Sequence, residues 1–371
     1  MTRRAAPVQM KWMDRALDLA ERGRYSVSPN PMVGAVVVRA GRAIGEGWHR
    51  RAGGPHAEIS ALQKAGERAR GADLYLTLEP CVHFGRTPPC APAILAAGPR
   101  RVIVAARDPN PLVAGRGLSI LSRAGIEVLQ TDPVRRCRAE RQNEKFRLWV
   151  EAARPFVLAK WAETLDGKIA AAGGESRWIT GEKARERGLL LREEYDAVLV
   201  GAGTVLADDP LLTRRLGKNR VTPQRRIVLD GRLRVPERSR FLHSPEGALV
   251  VTARRESHPS VRRLVSRGVR VWSLPGRGSR VSIPRLLARL ARDGITGLLV
   301  EGGSETLWQF FRARRVDRVA VFLAPRILGG GRAPGGVGGK GFSLASTPRL
   351  TDLEVERIGE DLLVTGRVRH D

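Results

Sequence analysis

Three residues with metal-binding side chains, His56, Cys81 and Cys90, constrain the fold of this chain more than any other sequence feature. One imidazole and two thiols form a ligand set that suits zinc, and three protein ligands leave one coordination position open for water. Water bound to zinc can lose a proton near neutral pH. Glu58 follows His56 closely and is placed to carry protons beside the metal. The spacing therefore predicts a catalytic zinc site.

The local sequence places these side chains at the ends of predicted elements. Residues 72–78 predict a strand that ends at Glu79-Pro80, and residues 57–65 and 91–97 predict helices. The histidine and the glutamate would then lie in the first turn of the 57–65 helix, as an α/β metal site requires. The alternative is that the three ligand candidates are unrelated and that the cysteines are small buried side chains.

The order His-x-Glu, then Pro-Cys, then a second cysteine is typical of zinc-dependent nucleobase deaminases, in which the glutamate is an acid/base and not a ligand. The usual signature has a Cys-x-x-Cys motif, whereas residues 82–89 separate the cysteines here. The pattern predicts a hydrolytic deaminase with Glu58 as the catalytic residue and His56, Cys81 and Cys90 as zinc ligands.

Length and composition limit the class of protein. The 371 residues are enough for two domains, and no apolar run is long enough to span a membrane. The N-terminal segment mixes charges among its apolar positions and is not a signal-peptide core. Three cysteines, two of them assigned to the metal, argue against a disulfide framework and suit the cytoplasm. Cys137 is interpreted as a free thiol without a role.

The formal net charge of +27 raises the question of nucleic-acid binding. The arginines that cause it are spread over both halves of the chain, which favours a general surface bias over a nucleic-acid footprint. Phosphorylated substrates and a phosphorylated cofactor would also benefit from a positive field. We therefore expect small phosphorylated ligands, no nucleic-acid partner and no membrane partner, and we expect a homo-oligomer.

The order of predicted elements divides the chain at residues 151–155. Residues 1–150 predict a three-layer α/β/α domain that ends in one long helix, Pro133 to Val150. Residues 151–371 alternate strands and helices, which predicts a largely parallel sheet covered on both sides. Thr180 to Lys183 could cap a helix. Late strands at 319–323, 353–357 and 362–367 are expected to be antiparallel at an edge, and glycine-rich residues 329–341 form a loop.

Two glycine-containing turns in the second half follow predicted strands. Glu301-Gly302-Gly303-Ser304-Glu305-Thr306 and Gly201-Ala202-Gly203-Thr204-Val205 each join a buried strand to a helix, where backbone N–H groups can bind phosphate. Two such turns in one parallel sheet fit a dinucleotide across the strand ends, although plain packing is the alternative. Neither turn matches Gly-x-Gly-x-x-Gly, which argues against an ordinary Rossmann domain.

Several segments resemble one known family, the bifunctional deaminase-reductase of riboflavin biosynthesis. The resemblance in the first half rests on Asn30 to Gly34, Glu79 to Cys90 with Gly-Arg-Thr-Pro-Pro between the thiols, and Asp108 to Pro111. In the second half it rests on Lys160 to Ala170, Glu175 to Thr180, Gly203 to Pro210, and Glu301-Gly302-Gly303. It covers nearly the whole chain in matching order.

The resemblance implies a cytidine-deaminase-like domain in residues 1–150 and a dihydrofolate-reductase-like domain in residues 151–371 that uses NADPH. It implies that the following residues hold the cofactor: Ala162, Trp178, Thr204, Asp208, Gly303, Ser304, Glu305 and Thr306. It implies that the ribosyl-phosphate substrate is held by Ser176, Arg192, Leu212, Arg215 and Glu301, with Lys160 nearby. For any single arginine the alternative is a solvated surface charge.

We expect a further set of residues to line the deaminase pocket, namely Asn30, His49, His83, Asp108 and Asn110. An exposed or structural imidazole is the alternative for both histidines. Three departures from the family pattern accompany the resemblance: Gly231 stands where the family commonly has a hydroxyl residue near the cofactor, Val82 replaces a frequent serine, and Thr164 replaces another.

The implied function has two steps. Zinc-dependent hydrolysis would remove an amino group from a diaminopyrimidinone that carries ribosylamine 5′-phosphate, and NADPH would then reduce the ribosyl group to ribityl. Lys160 and Glu301 are candidates for the proton donor of the second step. A tRNA or nucleoside deaminase with a basic RNA-binding second domain is one alternative, although aromatic residues for base stacking make up only 5% of the chain. A regulator with structural zinc is another, although it lacks an evident fourth ligand.

Overall fold

The computed structural model describes residues 8–85, 87–212, 224–243 and 247–370, and it divides into two compact units. The first unit ends at Ala152 and the second begins at Ala153. Among the described residues, no helix combines the length and the apolar character that crossing a bilayer requires.

The first unit alternates helices with the strands of a single sheet. Its strands are β1 (Gly34–Arg39), β2 (Arg42–Trp48), β3 (Asp73–Leu78), β4 (Arg101–Ala106) and β5 (Glu127–Gln130). Its α-helices are α1 (Lys11–Glu21), α2 (Ala57–Ala65), α3 (Cys90–Ala97), α4 (Arg116–Arg123), α5 (Pro133–Gln142) and α6 (Glu144–Ala152). The strand order is β2-β1-β3-β4-β5, antiparallel among the first three and parallel from β3 to β5.

Glycines on β1 and β2 allow two helices to approach the sheet closely. A Cβ atom on Gly34 would lie 1.9 Å from the carbonyl oxygen of Ala16 in α1. A Cβ atom on Gly47 would lie 2.2 Å from the carbonyl oxygen of Ala57 in α2. The helices therefore rest on backbone rather than on side chains, which fixes the start of α2 against β2.

The single helix predicted from Pro133 to Val150 is wrong, because the chain forms α5 and α6 with a break at Asn143. The backbone of Asn143 leaves the helical region, with φ −108° and ψ 19°. Its buried side chain accepts a hydrogen bond from the backbone N–H of Met32 at 2.7 Å and donates to the carbonyl oxygen of Met32 at 2.9 Å. A contact distant in sequence thus ends the first helix.

The second unit contains the remaining strands in one nine-stranded sheet. The strands are β6 (Phe156–Thr164), β7 (Ala197–Gly201), β8 (Arg225–Leu229), β9 (Ala248–Thr252), β10 (Arg270–Ser273), β11 (Gly297–Val300), β12 (Arg318–Ala324), β13 (Arg349–Ile358) and β14 (Asp361–Arg369). The helices are α7 (Glu182–Glu193), α8 (Ala202–Asp208), α9 (Arg240–His243), α10 (Pro259–Ser266), α11 (Ile283–Arg292) and α12 (Ser304–Arg312).

The strand order is β10-β9-β8-β7-β11-β6-β12-β14-β13, and all neighbours from β10 to β12 are parallel. The edge position expected for 319–323 is wrong, because β12 lies inside the sheet. The antiparallel pairing expected for it is found on one side only: β12 pairs antiparallel with β14 and in parallel with β6. The antiparallel edge itself is formed by β14 and β13. The helix cap predicted within Thr180 to Lys183 is confirmed, with Gly181 as the N-cap of α7.

The glycine-rich tract 329–341 forms the predicted loop, and it packs against the turn of residues 301–306. The backbone N–H of Gly338 donates to the carbonyl oxygen of Ser304 at 3.0 Å. A Cβ atom on Gly339 would lie 2.2 Å from the ring of Trp308, so only glycine fits there. The tract therefore lies against the start of α12.

Candidate active sites

The three candidate zinc ligands lie together at the ends of α2, β3 and α3. His56 is the N-cap of α2, Cys81 follows β3, and Cys90 is the first residue of α3. The His56 Nδ1 atom lies 3.1 Å from Cys90 Sγ and 3.6 Å from Cys81 Sγ, and the three ligand atoms all lie within 4.8 Å of one another. One nitrogen and two sulfurs at this separation are a donor set that fits zinc.

Hydrogen bonds within the ligand group favour the thiolate form of Cys81. The backbone N–H of Cys90 donates to Cys81 Sγ at 3.3 Å. Hydrogen bonds from the Cys90 and His56 side chains lower the pKa of the Cys81 thiol to about 4, and its bond to Cys81 raises the pKa of Cys90. Thr87 Oγ1 lies 3.0 Å from His56 Nε2 and holds the ring so that Nδ1 faces the thiols.

Glu58 lies in the first turn of α2 and is almost wholly buried, with 3% of its surface exposed. Burial raises the pKa of its carboxyl group to about 7, although the charge of His56 opposes the shift. Its Oε2 atom makes no hydrogen bond with any residue that the structure describes. A carboxyl group that gains and loses a proton near neutral pH is suited to general acid/base catalysis.

A cavity of about 340 Å³ opens beside this site. The structure brings together in its lining Glu58, His56, Cys81 and all the expected pocket residues, Asn30, His49, His83, Asp108 and Asn110. Burial raises the pKa of Asp108 to about 6. The cavity therefore joins the candidate acid/base to polar side chains from four separate segments of the chain.

His49 has the character of a structural imidazole, which was the alternative for this residue. Its Nδ1 atom lies 3.1 Å from the carbonyl oxygen of Pro55, and its Nε2 atom lies 3.0 Å from Asn30 Nδ2. Burial lowers the pKa of the ring, so it is neutral and can accept from the amide of Asn30. His49 thus orients Asn30, whereas the Nδ1 atom of His83 is buried without a hydrogen-bonding partner among the described residues.

Three features of this pocket were missed from sequence. Glu79 is buried, and its carboxylate accepts hydrogen bonds from the backbone N–H groups of Asp108, Gly115, Gly117 and Leu118. It therefore holds the loop that carries Asp108. Thr87 supports His56, and Phe146 and Trp149 of α6 line the cavity. Only the position of Glu79 beside Pro80-Cys81 offered a signal, because the other contacts depend on chain folding.

In the second unit, the two glycine turns meet at one cavity of about 410 Å³. The backbone N–H of Gly303 donates to Thr204 Oγ1 at 3.2 Å. A Cβ atom on Gly201 would lie 2.1 Å from Thr306 Oγ1, so the close contact between the two turns requires glycine at position 201. Five of the residues expected to hold the cofactor line this cavity: Thr204, Gly303, Ser304, Glu305 and Thr306. The exposed backbone of this cradle fits a dinucleotide.

A second cavity of about 500 Å³ in the same unit collects six further expected residues. Trp178 and Asp208 line it together with Lys160, Ser176, Arg192 and Leu212. Arg177, Arg185 and Arg240 also line it and were not predicted. The cavity is therefore rich in cationic side chains, as an anionic substrate requires.

Glu301 forms a buried two-bond ion pair with Arg192. Arg192 Nε and Nη2 donate to the two Glu301 carboxylate oxygens at 2.7 and 2.8 Å. Burial would raise the pKa of Glu301, but the charges of Arg192 and Lys160 outweigh it and hold the pKa at about 2. Burial lowers the pKa of the Lys160 ammonium group.

Two described residues among those expected in the reductase, Ala162 and Glu301, line neither of these cavities. Ala162 lies on β6. Arg215 lies outside the described residues.

Comparison with known proteins finds one matching family model in each half of the chain. Residues 155–364 match the family model of the RibD C-terminal domain, and residues 7–106 match the cytidine and deoxycytidylate deaminase zinc-binding region. The riboflavin biosynthesis protein RibD of Aquifex aeolicus is 43% identical over 96% of this chain and 98% of its own length. The Escherichia coli RibD is 39% identical over 95% of this chain and 97% of its own length.

The chain belongs to the RibD family. The solved Acinetobacter baumannii RibD has a TM-score of 0.87 at 37% identity and covers 97% of this chain and 99% of its own. A Thermotoga maritima diaminohydroxyphosphoribosylaminopyrimidine deaminase/5-amino-6-(5-phosphoribosylamino)uracil reductase has a TM-score of 0.84 at 37% identity, with coverages of 97% and 98%.

RibD membership confirms the predicted fold class and the predicted pair of activities. The chain is a bifunctional deaminase and reductase of riboflavin biosynthesis, with a zinc-binding deaminase domain and an NADPH-dependent reductase domain of dihydrofolate-reductase type. The RNA-binding alternative is not favoured, because the second half matches the reductase domain.

Proposed function

We propose that residues 1–150 deaminate a phosphorylated pyrimidine and that residues 151–371 reduce the product. The observation that carries the proposal is the grouping of His56 Nδ1 and the two cysteine sulfurs within 4.8 Å of one another, beside a cavity that Glu58 lines. In this proposal His56, Cys81 and Cys90 hold zinc, and Glu58 is the catalytic acid/base.

The deamination step is assigned to the carboxyl group of Glu58. Zinc bound by the three ligands supplies a water that ionises near neutral pH. At its unpartnered Oε2 atom, Glu58 would take a proton from water and deliver it to the ring nitrogen as the water oxygen adds to the amine-bearing carbon; it would then move the proton of the new hydroxyl group to the amine, which leaves as ammonia. Because the pKa of the Glu58 carboxyl group is about 7, this group can both accept and donate a proton at neutral pH. Asn30, oriented by His49, and His83, Asp108 and Asn110 bind the substrate.

The reduction step is assigned to the paired cavities of the second unit. NADPH would be held by the glycine cradle of Thr204 and residues 303–306, with Trp178 and Asp208 also contributing to cofactor binding. The cofactor supplies a hydride to C1′ of the ribosyl group. Ser176, Arg192, Leu212 and Arg215 bind the sugar phosphate, and Glu301 fixes Arg192. The role of Ala162 in cofactor binding stays a prediction.

Of the two proton-donor candidates, the local charges favour Lys160. Glu301 keeps its carboxylate form at neutral pH, because its pKa is held at about 2. Burial lowers the pKa of Lys160, which brings an ammonium group closer to the range in which it can donate a proton. Lys160 is therefore proposed to protonate the sugar oxygen as the ring opens.

The two steps can be followed separately with one purified protein. The diaminopyrimidine ribosyl phosphate is added first and ammonia is measured; NADPH is then added and its absorbance is followed. We expect ammonia release without NADPH and NADPH oxidation only after deamination. Ammonia release that requires NADPH, or NADPH oxidation without prior deamination, would contradict the proposed order.

The predicted setting of the enzyme is also proposed here. A cytoplasmic location is supported by the free thiols of Cys81 and Cys90, which a zinc site needs in reduced form. The homo-oligomer and the absence of a nucleic-acid partner stay predictions. Light scattering of the purified chain tests the first, and salt-dependent RNA binding tests the second.

A further inference from the structure

The first unit contains another cavity, of about 320 Å³, at the carboxyl ends of β4 and β5. It is almost as large as the deaminase cavity of about 340 Å³, and the two cavities share no lining residue. Its floor is apolar and consists of residues 104–106 and Leu118. Its polar side chains are those of Arg107, Gln130, Arg136 and Glu140. A space of this size and composition is suited to a small polar molecule with a carbon skeleton.

The helices α4 and α5 lie on opposite faces of the first sheet. Gly34 of β1 contacts α1, and the next residue, Ala35, pairs with Gly47, which contacts α2. Since consecutive residues of a strand point to opposite faces, α1 and α2 cover opposite faces of the sheet. α5 packs beside α1, whereas α3 packs beside α2 and α4 packs beside α3. α4 therefore shares the face of α2, and α5 shares the face of α1.

This topology opens a crevice between two parallel strands. The chain turns to one face of the sheet after β4 and to the other face after β5. In open α/β sheets, ligands bind at the carboxyl ends of the strands where such a switch occurs. The 320 Å³ cavity lies at this point, because Arg107 follows β4, Leu118 belongs to α4 and Arg136 belongs to α5. The position of the cavity in the sheet therefore argues for a ligand independently of its side chains.

The cavity carries positive charge that the protein does not balance. Its one carboxylate, that of Glu140, is paired with a residue outside the lining, since Arg147 Nη1 lies 3.1 Å from Glu140 Oε2. Within the part of the chain that the structure describes, no carboxylate forms an ion pair with Arg107 or Arg136, and both residues are exposed. Two guanidinium groups from separate elements match a doubly charged phosphate monoester better than a singly charged carboxylate.

We propose that this cavity is a binding site for a small sugar phosphate, separate from the two active sites. Arg107 and Arg136 bind the phosphate group, and the side-chain amide of Gln130 forms a hydrogen bond with a sugar hydroxyl. The carbon skeleton of the sugar packs on the apolar floor. The site needs neither the zinc ligands nor the residues of the reductase, so it stands apart from the function proposed for each unit.

The test is calorimetric titration of the full chain with ribose 5-phosphate, and with ribose as the uncharged comparison. Ribose 5-phosphate is expected to bind much more tightly than ribose. Each of Arg107→Gln and Arg136→Gln is expected to weaken ribose 5-phosphate binding at this site about 10-fold, because a hydrogen bond to a charged group is lost. Arg123→Gln is the matched control, since Arg123 is exposed at the end of α4 and does not line the cavity.

The Arg136→Gln variant separates this site from the two active sites, which could also bind a sugar phosphate. Arg136 lines neither the deaminase cavity nor the two cavities of the second unit. Ribose 5-phosphate bound at those places is therefore expected to be unaffected by the substitution. The unfolding temperature of the variant is expected to match wild type, because the side chain is exposed, so weaker binding would not reflect a loss of fold.

Each outcome of the titrations decides for or against the site. Weaker ribose 5-phosphate binding in both arginine variants, with the Arg123→Gln control unchanged, supports the inference. Equal binding by wild type and both variants would confine the sugar phosphate to the active sites and overturn it. Wild-type protein that does not bind ribose 5-phosphate, or that binds ribose equally well, would also overturn it. The proposed deaminase and reductase stand in every case, because their residues are not changed.

Discussion

Two buried glutamates show how neighbouring groups decide what a side chain does. Glu58 is buried beside the metal ligands, and burial raises its pKa to about 7 against the opposing charge of His56. Glu301 is also buried, but Arg192 and Lys160 hold its pKa at about 2. The first can exchange protons at neutral pH, and the second is a permanent anion that positions an arginine.

Replacing Glu58 with glutamine removes the acid/base group and keeps its shape. We expect deamination to fall by about 10²- to 10⁴-fold or more, because a positioned acid/base contributes about this much. The measurement is ammonia release at saturating substrate. The zinc content of the variant, measured in parallel, is expected to match wild type, since Glu58 is not a ligand. A variant that deaminates at a near wild-type rate would exclude Glu58 from catalysis.

Replacing Glu301 with glutamine leaves the guanidinium of Arg192 buried without its counter-charge. We expect the free energy of unfolding of the second unit to fall by about 3–5 kcal/mol. Glu305→Gln is the control, because that carboxylate is exposed and more than half of its side chain is accessible. Denaturant unfolding of both variants provides the comparison, and equal stabilities would contradict a stabilising Glu301–Arg192 pair.

The same pair predicts how stability depends on pH. Since the pKa of Glu301 is lower in the folded chain than its ordinary value of 4.5, its contribution is complete above about pH 4.5. It is lost as the pH falls towards 2, where the folded carboxylate gains its proton. The difference in stability between wild type and Glu301→Gln is therefore expected to shrink over this window, and a constant difference would contradict the assignment.

At the scale of elements, both candidate sites lie where strands end and helices begin. The starts of α2 and α3 carry His56 and Cys90, and the start of α12 carries the Gly303 turn. For two of these helices a glycine sets the distance between helix and sheet: Gly47 for α2 and Gly201 for α12. The chemistry of a site therefore depends on close packing outside it.

Gly47→Ala tests this dependence in the deaminase. The added Cβ atom would lie 2.2 Å from the Ala57 carbonyl and must push the start of α2 away from β2. We expect a loss of about 1–3 kcal/mol of stability, as for an overpacked core, and faster zinc loss to a chelator. Gly173→Ala is the control, because its Cβ atom would meet no atom within 4 Å. Unchanged zinc release in Gly47→Ala would show that α2 tolerates the shift.

At the scale of the whole molecule, each compact unit contains its own cavity and its own candidate chemistry. Removal of zinc with a chelator is therefore expected to abolish ammonia release, and to leave NADPH oxidation with already deaminated substrate unchanged. Adding zinc back is expected to restore the first activity. A parallel loss of NADPH oxidation would show that the second unit depends on the metal of the first.

Local patterns were enough to predict many elements of this chain. The helix at residues 57–65 has the predicted bounds, and most strands of both units lie where runs of apolar residues placed them. Long-range contacts explain the failures. Asn143 breaks a continuous helical pattern because it bonds to Met32, and β12 lies inside the sheet because its partners are β6 and β14.

The sequence by itself determined which chemistries are available, because a metal-ligand set, a glutamate two residues from a histidine and glycine turns are properties of local order. Only the tertiary structure decided which groups act together. It paired Glu301 with Arg192, and it placed the Glu79 carboxylate where it accepts hydrogen bonds from the loop that carries Asp108. It also packed the 275–281 loop against Gly231. These contacts join segments far apart in the chain, and the balance of burial and charge at each one depends on packing that no local pattern contains.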